Sequence, residues 1–183
     1  MTPATSTVRT LILVGSLRSG SLNRALAQTA IDHVPAHVEP ILFDRLGELP
    51  HYNEDLDTET GDPVVQALRA EAATSDALLV VTPEYNGGLP GVLKNAIDWL
   101  SRPYGNSALK GKPAAVIGSA LGRYGGQWAH ADARKSLAIA GAQVPEDIEL
   151  SIPAKDLNGL PPAESPDVVA SLGGVWARLI EHL

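Results

Sequence analysis

The stretch Ala77-Leu78-Leu79-Val80-Val81-Thr82 is apolar at every position but its last. A strand with one face in water alternates polar and apolar side chains, so an unbroken apolar run of this length fits a strand covered on both faces. Such sheets are built from parallel strands with helices packed on each side. The rest of the chain fits that requirement. Val8–Val14, Val38–Phe43, Pro113–Ser119 and Val144–Leu150 also read as strands. Helical patterns alternate with them over Asn23–Val34, Pro63–Ala73, Gly91–Leu100, Trp128–Ala140 and Ser165–His182.

Local signals refine this reading. Asp62 stands as an N-cap before Pro63, and Gly141 is a stop for the fourth helix. Pro40 lacks the N–H that an interior strand donates, which predicts an edge position for the second strand. Asp44–Gly61 is polar and turn-rich and reads as loop. The expectation is an α/β protein with a three-layer open sheet, one domain over residues 1–183, and residues 1–6 as a flexible tail.

Composition excludes several classes of function. The formal net charge of −7 argues against a general nucleic-acid partner and against an anionic membrane surface. The chain has no cysteine, which removes disulfides, thiolate metal sites, iron–sulfur clusters and a cysteine nucleophile. It shows no signal peptide and no membrane-length apolar run, so the expected location is the cytoplasm.

In open parallel sheets, ligands bind beyond the carboxyl ends of the strands, where the winding direction switches. The loops after the first, third and fourth strands are therefore where chemistry is expected, and all three have unusual composition. The first runs Gly15-Ser16-Leu17-Arg18-Ser19-Gly20-Ser21-Leu22-Asn23-Arg24. It opens a helix, whose first amides lack helical partners and carry the positive end of the dipole. An anion is favoured there, and the serines, Asn23 and Arg18 add donors. The loop has neither G-x-G-x-x-G nor a Gly-Lys-Ser/Thr ending, so one terminal phosphate suits it better than a pyrophosphate or a nucleoside triphosphate. A plain N-cap flanked by exposed serines is the alternative.

The second loop, Thr82-Pro83-Glu84-Tyr85-Asn86-Gly87-Gly88-Leu89-Pro90-Gly91, sets two prolines around a glycine pair. It reads either as a surface for a flat ring, with the amides of Asn86 to Gly88 at the ring edge, or as a plain turn with Tyr85 as a lid. The third loop, Ser119-Ala120-Leu121-Gly122-Arg123-Tyr124-Gly125-Gly126, reads as closing over the other end of that ring. Its Arg123 would face negative charge, and a flexible connector with a solvated arginine is the alternative.

GSLRSGSLNR, TPEYNGGLPGVLKNAIDWLSRP and GSALGRYGG together resemble the NADPH-dependent FMN reductase family of the flavodoxin-like fold, from about Val8 to Leu150. That family includes bacterial quinone, chromate and azo-dye reductases. The resemblance implies five parallel strands in the order 2-1-3-4-5. It implies FMN with its phosphate on Ser16, Arg18, Ser21 and Asn23. It places Pro83, Glu84, Tyr85, Asn86 and Gly87 along the flavin ring, with Ser119 and Gly122 near it. Arg123 and Tyr124 become candidate contacts for NADPH or NADH, or for a small-molecule electron acceptor. The resemblance further implies a homodimer or homotetramer with the helix after the second loop at the interface. Leu49–Asp55 then approaches the flavin of the partner subunit. Arg123-Tyr124 and Gln127-Trp128 depart from the family pattern in a way that narrows the pocket.

The implied reaction is a ping-pong transfer from the nicotinamide to a quinone, azo compound, metal oxyanion or free flavin. The cofactor carries that chemistry and no catalytic side chain is assigned. A one-electron carrier and a flavin-binding module without turnover are the competing readings, because fold alone does not choose among them.

Other patterns fail on inspection. In Gly118-Ser119-Ala120-Leu121-Gly122 the serine follows the glycine directly, unlike a hydrolase elbow. The acidic run Asp55–Asp62 has Thr60 and Gln66 where a calcium loop needs Gly and Glu. His33, His37, His51, His130 and His182 lack metal-ligand spacing and most of them read as solvated or capping, while Trp99 and Trp176 read as core or interface.

Overall fold

The computed structural model describes residues 7–58 and 60–183. The expected tail, residues 1–6, lies outside the described residues. The chain runs β1 (Val8–Val14), α1 (Leu22–Asp32), β2 (Val38–Phe43), α2 (Pro63–Thr74), β3 (Ala77–Val81) and α3 (Gly91–Leu100). It continues through β4 (Ala114–Ala120), α4 (Gln127–Ile139), β5 (Glu149–Pro153) and α5 (Pro166–Glu181). The five strands form one sheet in the order β2-β1-β3-β4-β5, and every pairing is parallel.

β3 lies at the centre and shows why its sequence never alternates. Leu78 and Val80 point into a core shared with α2, α3 and α4, where Leu68, Ile97 and Leu137 pack. Ala77, Leu79 and Val81 point the other way, toward Leu26 of α1 and Leu172 and Trp176 of α5. Each such leucine removed from water contributes about 1.5–3 kcal/mol. Two buried tryptophans anchor the layers through their N–H groups. Trp176 donates to the Ala30 carbonyl at 2.9 Å, and Trp99 to the Pro50 carbonyl at 2.8 Å.

The caps act as expected. Asp62 accepts from the N–H groups of Val64 and Val65, and Pro63 begins α2. Pro40 lies opposite Thr10 on β2, an edge strand.

Two expectations need correction. The fifth strand is Glu149–Pro153, not Val144–Leu150. Gln143 makes a single bridge to Pro113, and Pro145 then has no N–H to continue a ladder. Arg134 of α4 instead holds the Pro145 and Ile148 carbonyls, and the chain rejoins β4 at Glu149. The loop 44–61 also contains two short 3-10 turns, Leu46–Glu48 and Glu54–Leu56. Leu46 and Leu49 there complete the core under α3. Leu49–Asp55 is tied to α3 as well. Asn95 accepts from the Tyr52 N–H and donates to the Pro50 carbonyl.

Candidate functional site

The carboxyl ends of β1, β3 and β4 release three loops side by side, and a cleft of about 480 Å³ opens among them. Its volume falls within the roughly 300–1,000 Å³ of small-molecule and cofactor sites. The first loop contributes Ser16, Arg18, Ser21 and Asn23 to its walls, and the second contributes Pro83, Glu84 and Tyr85. Ser119 and Gly122 come from the third. Residues separated by about a hundred positions in sequence thus share one wall.

At the first loop, Ser21 is the N-cap of α1 and accepts from the Arg24 N–H at 3.3 Å. That bond uses an oxygen lone pair and leaves the hydroxyl proton to donate into the cleft. The Leu17, Ser19 and Gly20 N–H groups donate to nothing among the described residues. Unpaired amides, hydroxyls, a helix N-terminus and the Arg18 guanidinium form a donor set suited to a phosphate.

Asn23 plays two parts at once. It borders the cleft, yet its Nδ2 donates to the Ser119 carbonyl and its Oδ1 accepts from the Ser119 N–H, both at 2.8 Å. One N–H of the amide remains to face a ligand. The clasp holds the first loop to the end of β4. Just before it, Gly118 lets the two strand ends come together: a Cβ there would lie 2.0 Å from the Thr82 carbonyl oxygen.

The second loop contains a tight turn. Tyr85 and Gly88 exchange both backbone hydrogen bonds at 3.1 and 3.0 Å, and Asn86 and Gly87 have φ of 53° and 72°. Positive φ at both central residues is the Asn-Gly preference of a type I′ turn. The Gly88 amide is therefore satisfied inside the turn and is not free for a ring edge, as the sequence had suggested. Asn86 and Gly87 are exposed and lie outside the cleft's lining.

Glu84 borders the cleft, and its carboxylate also reaches α4. Oε2 accepts from the N–H groups of Trp128 at 3.0 Å and Ala129 at 3.3 Å. The residue before α4 is Gly126, which has no side chain to cap the helix, so Glu84 caps it from a different loop. This bond fastens the second loop to the third.

In the third loop, Ser119 is 2% exposed and its hydroxyl has no hydrogen-bond partner. A buried hydroxyl bordering a cleft without a partner is what a ligand's polar edge would satisfy. Arg123 and Tyr124 do not line the cleft. Arg123 folds back over the Tyr124 ring, 4.4 Å from its centroid, and donates to the Tyr124 hydroxyl. The pair stands at the rim.

Sequence reasoning missed Leu22, Ala120, Leu121 and Ala154, which also border the cleft. Ala154 follows β5, the edge strand of the sheet, and a lone alanine at a strand end carries no donor or acceptor side chain to mark it. His130 was also misjudged. It is 1% exposed, not solvated, and its Nδ1 pairs with the Ser151 hydroxyl at 2.8 Å. Burial holds its pKa down to about 4, against a pull upward from the Thr82 backbone and with help from the Arg134 charge. The imidazole is therefore neutral at neutral pH and packs behind Gly118 and Gly126. Among the described residues no group of three or more His, Asp or Glu lies close enough together to hold a metal, and no helix is long and apolar enough to cross a membrane.

The chain matches the model of the NADPH-dependent FMN reductase family over residues 8–156. It is 44% identical to a quinone reductase of Pseudomonas putida over 70% of this chain and 68% of that protein. It is 45% identical to an NAD(P)H-dependent FMN reductase of Pseudomonas aeruginosa over 72% of this chain and 70% of that protein. Among solved structures it resembles FerB, a flavoenzyme NAD(P)H:(acceptor) oxidoreductase from Paracoccus denitrificans. That likeness has a TM-score of 0.81 at 34% identity and covers 96% of this chain and 98% of FerB. The chain belongs to the NADPH-dependent FMN reductase family and is an oxidoreductase of the flavodoxin-like fold.

Proposed function

We propose that this chain binds FMN in the three-loop cleft and uses it to pass electrons from NADPH or NADH to a quinone. The unpartnered, buried Ser119 hydroxyl on the cleft wall carries this reading, because a polar ligand in the cleft would give it the partner it lacks within the protein. The donor set of the first loop agrees with it, and so do the activities of the quinone and FMN reductases that the chain resembles.

FMN supplies the hydride acceptor and two-electron donor that no side chain here provides. The protein contributes binding and orientation. Ser16, Ser21, Arg18 and the first amides of α1 hold the phosphate, and the free N–H of Asn23 adds to them. Pro83, Glu84 and Tyr85 form one side of the ring site, and Ser119 and Gly122 the other, with Asn86 and Gly87 shaping the turn beyond Tyr85. The Ser119 hydroxyl, buried and unpartnered in the cleft wall, would be available to hydrogen-bond the bound flavin. Arg123 and Tyr124 meet the nicotinamide or the acceptor at the rim.

Donor and acceptor occupy the same opening in turn, which makes the kinetics ping-pong. One quinone, one reduced nicotinamide and one proton give one hydroquinone and the oxidised nicotinamide, with the proton drawn from solvent at the open mouth. Azo compounds, metal oxyanions and free flavin fit the same open site as further acceptors. The chain acts in the cytoplasm as a homodimer or homotetramer, with α3 at the interface and Leu49–Asp55, which Asn95 ties to α3, approaching the flavin of the partner subunit.

Anaerobic addition of NADPH to the FMN-loaded protein tests the reading. Rapid bleaching of the flavin band, reversed by 2-methyl-1,4-naphthoquinone, is the expected result. A bound flavin that NADPH leaves oxidised would favour a one-electron carrier or a binding module.

A further inference from the structure

The chain's three tryptophans differ sharply in their surroundings. Trp99 and Trp176 are each 1% exposed, while Trp128, at the start of α4, is 58% exposed. It does not stand alone, since the exposed Tyr124 ring adjoins it, and a grouped apolar surface marks a contact site where a single side chain would not. It is also held in place. Its backbone N–H is bonded to the Glu84 carboxylate at 3.0 Å. Gly87 comes so close that a Cβ there would lie 3.3 Å from Cε3 of the indole. The Tyr124 ring lies 5.8 Å away, tilted by 46°, so it abuts the indole without stacking over it.

Trp128 does not line the cleft but adjoins it: Glu84, which does line it, accepts from the Trp128 N–H, and Tyr124 beside the indole is two residues from the lining residue Gly122. The rim is thus aromatic and partly exposed at Tyr85, Tyr124 and Trp128. It also carries a cation, the Arg123 guanidinium over Tyr124. An aromatic surface beside a cation suits a planar, electron-poor ring that gains negative charge on reduction.

We propose that Trp128 is a specificity-determining residue: its indole forms the wall against which a planar aromatic acceptor packs. The proposal rests on the quinone reductase reading above and adds which side chain selects the acceptor. Because the indole already lies between Gly87 and the Tyr124 ring, less freedom is lost when the acceptor arrives.

The test compares wild-type holoenzyme with Trp128→Leu and Trp128→Phe, using 2-methyl-1,4-naphthoquinone and ferricyanide as acceptors. Leucine keeps apolar bulk without a ring. The ratio of the quinone KM to the ferricyanide KM is expected to rise about fivefold in Trp128→Leu, with Trp128→Phe restoring most of it. A second readout needs no turnover. Oxidised quinone, added without NADPH, should quench the exposed tryptophan emission of the wild type saturably, and the quenching should vanish in both variants.

An unchanged KM ratio together with unsaturable quenching would overturn the proposal. So would a Trp128→Leu protein that sediments as a smaller species with the quinone KM unaltered, since Trp128 would then be a subunit contact. A wild type that reduces neither acceptor would overturn the underlying quinone reductase reading, an outcome distinct from a working wild type whose Trp128 variants behave like it.

Discussion

Asn23 and Ser119 meet through both hydrogen bonds of one amide: Nδ2 donates to the Ser119 carbonyl and Oδ1 accepts from the Ser119 N–H, each at 2.8 Å. The two residues are 96 positions apart and both are buried. The pair ties the first loop to the end of β4, two walls of the same cleft. Asn23→Ala would leave a buried N–H and a buried carbonyl unpaired. A loss of about 3 kcal/mol in unfolding free energy is expected. It should appear as a lower urea midpoint at constant slope, together with weaker FMN binding.

Glu84 connects the other two loops by capping α4 across them. Glu84→Ala is expected to lower stability by about 1 kcal/mol, the usual cost of a lost N-cap acceptor. Glu84→Gln retains an acceptor oxygen and should keep most of it. Equal losses in the two variants would mean that the charge of Glu84 matters more than its cap bonds.

Gly118 and Gly122 lie four residues apart but differ in the space around them. A Cβ at Gly118 would lie 2.0 Å from the Thr82 carbonyl oxygen, which is backbone and cannot turn aside. A Cβ at Gly122 would meet nothing within 4 Å. Gly118→Ala should cost more than about 4 kcal/mol or fail to fold, whereas Gly122→Ala should unfold within about 1 kcal/mol of wild type. Thermal denaturation of the two purified proteins checks the contrast.

His130 makes stability depend on pH. Its folded pKa of about 4 lies below the ordinary value of 6.5, so the unfolded chain binds the proton first as pH falls. The His130 contribution is complete above pH 6.5 and is lost as pH drops toward 4, by about 3 kcal/mol in all. His130→Gln, which does not titrate, should flatten the stability profile across that window. A profile of the same slope in the variant would assign the acid sensitivity to other groups.

The fold was legible because its signals are local. The unbroken apolar run at Ala77–Val81 marked a covered central strand, and Pro40 marked an edge. That Ser16, Ser21 and Arg18 border the cleft was legible because they follow the carboxyl end of β1, where open parallel sheets bind ligands. What escaped was non-local or depended on packing. Glu84 caps a helix 44 positions away, and nothing near it in sequence marks that partner. The shift of β5 follows from Pro145 and from Arg134 holding the loop carbonyls, a tertiary effect. His130 gives no sequence sign of its burial, because its environment is made by Gly118, Gly126 and Ser151. Leu46 and Leu49 sit in a polar stretch and join the core only because that stretch folds back under α3.

Titration of the apo protein with FMN and with riboflavin, followed by flavin fluorescence, is the most direct measurement. The two ligands share the ring and differ in the phosphate proposed to sit at Ser16, Arg18, Ser21 and the start of α1. FMN is expected to bind at least about a hundredfold more tightly than riboflavin, as several charge-assisted hydrogen bonds require, and Arg18→Ala should narrow that gap. Equal affinity for the two flavins, or no binding of either, would contradict the assignment of the three-loop cleft as an FMN site.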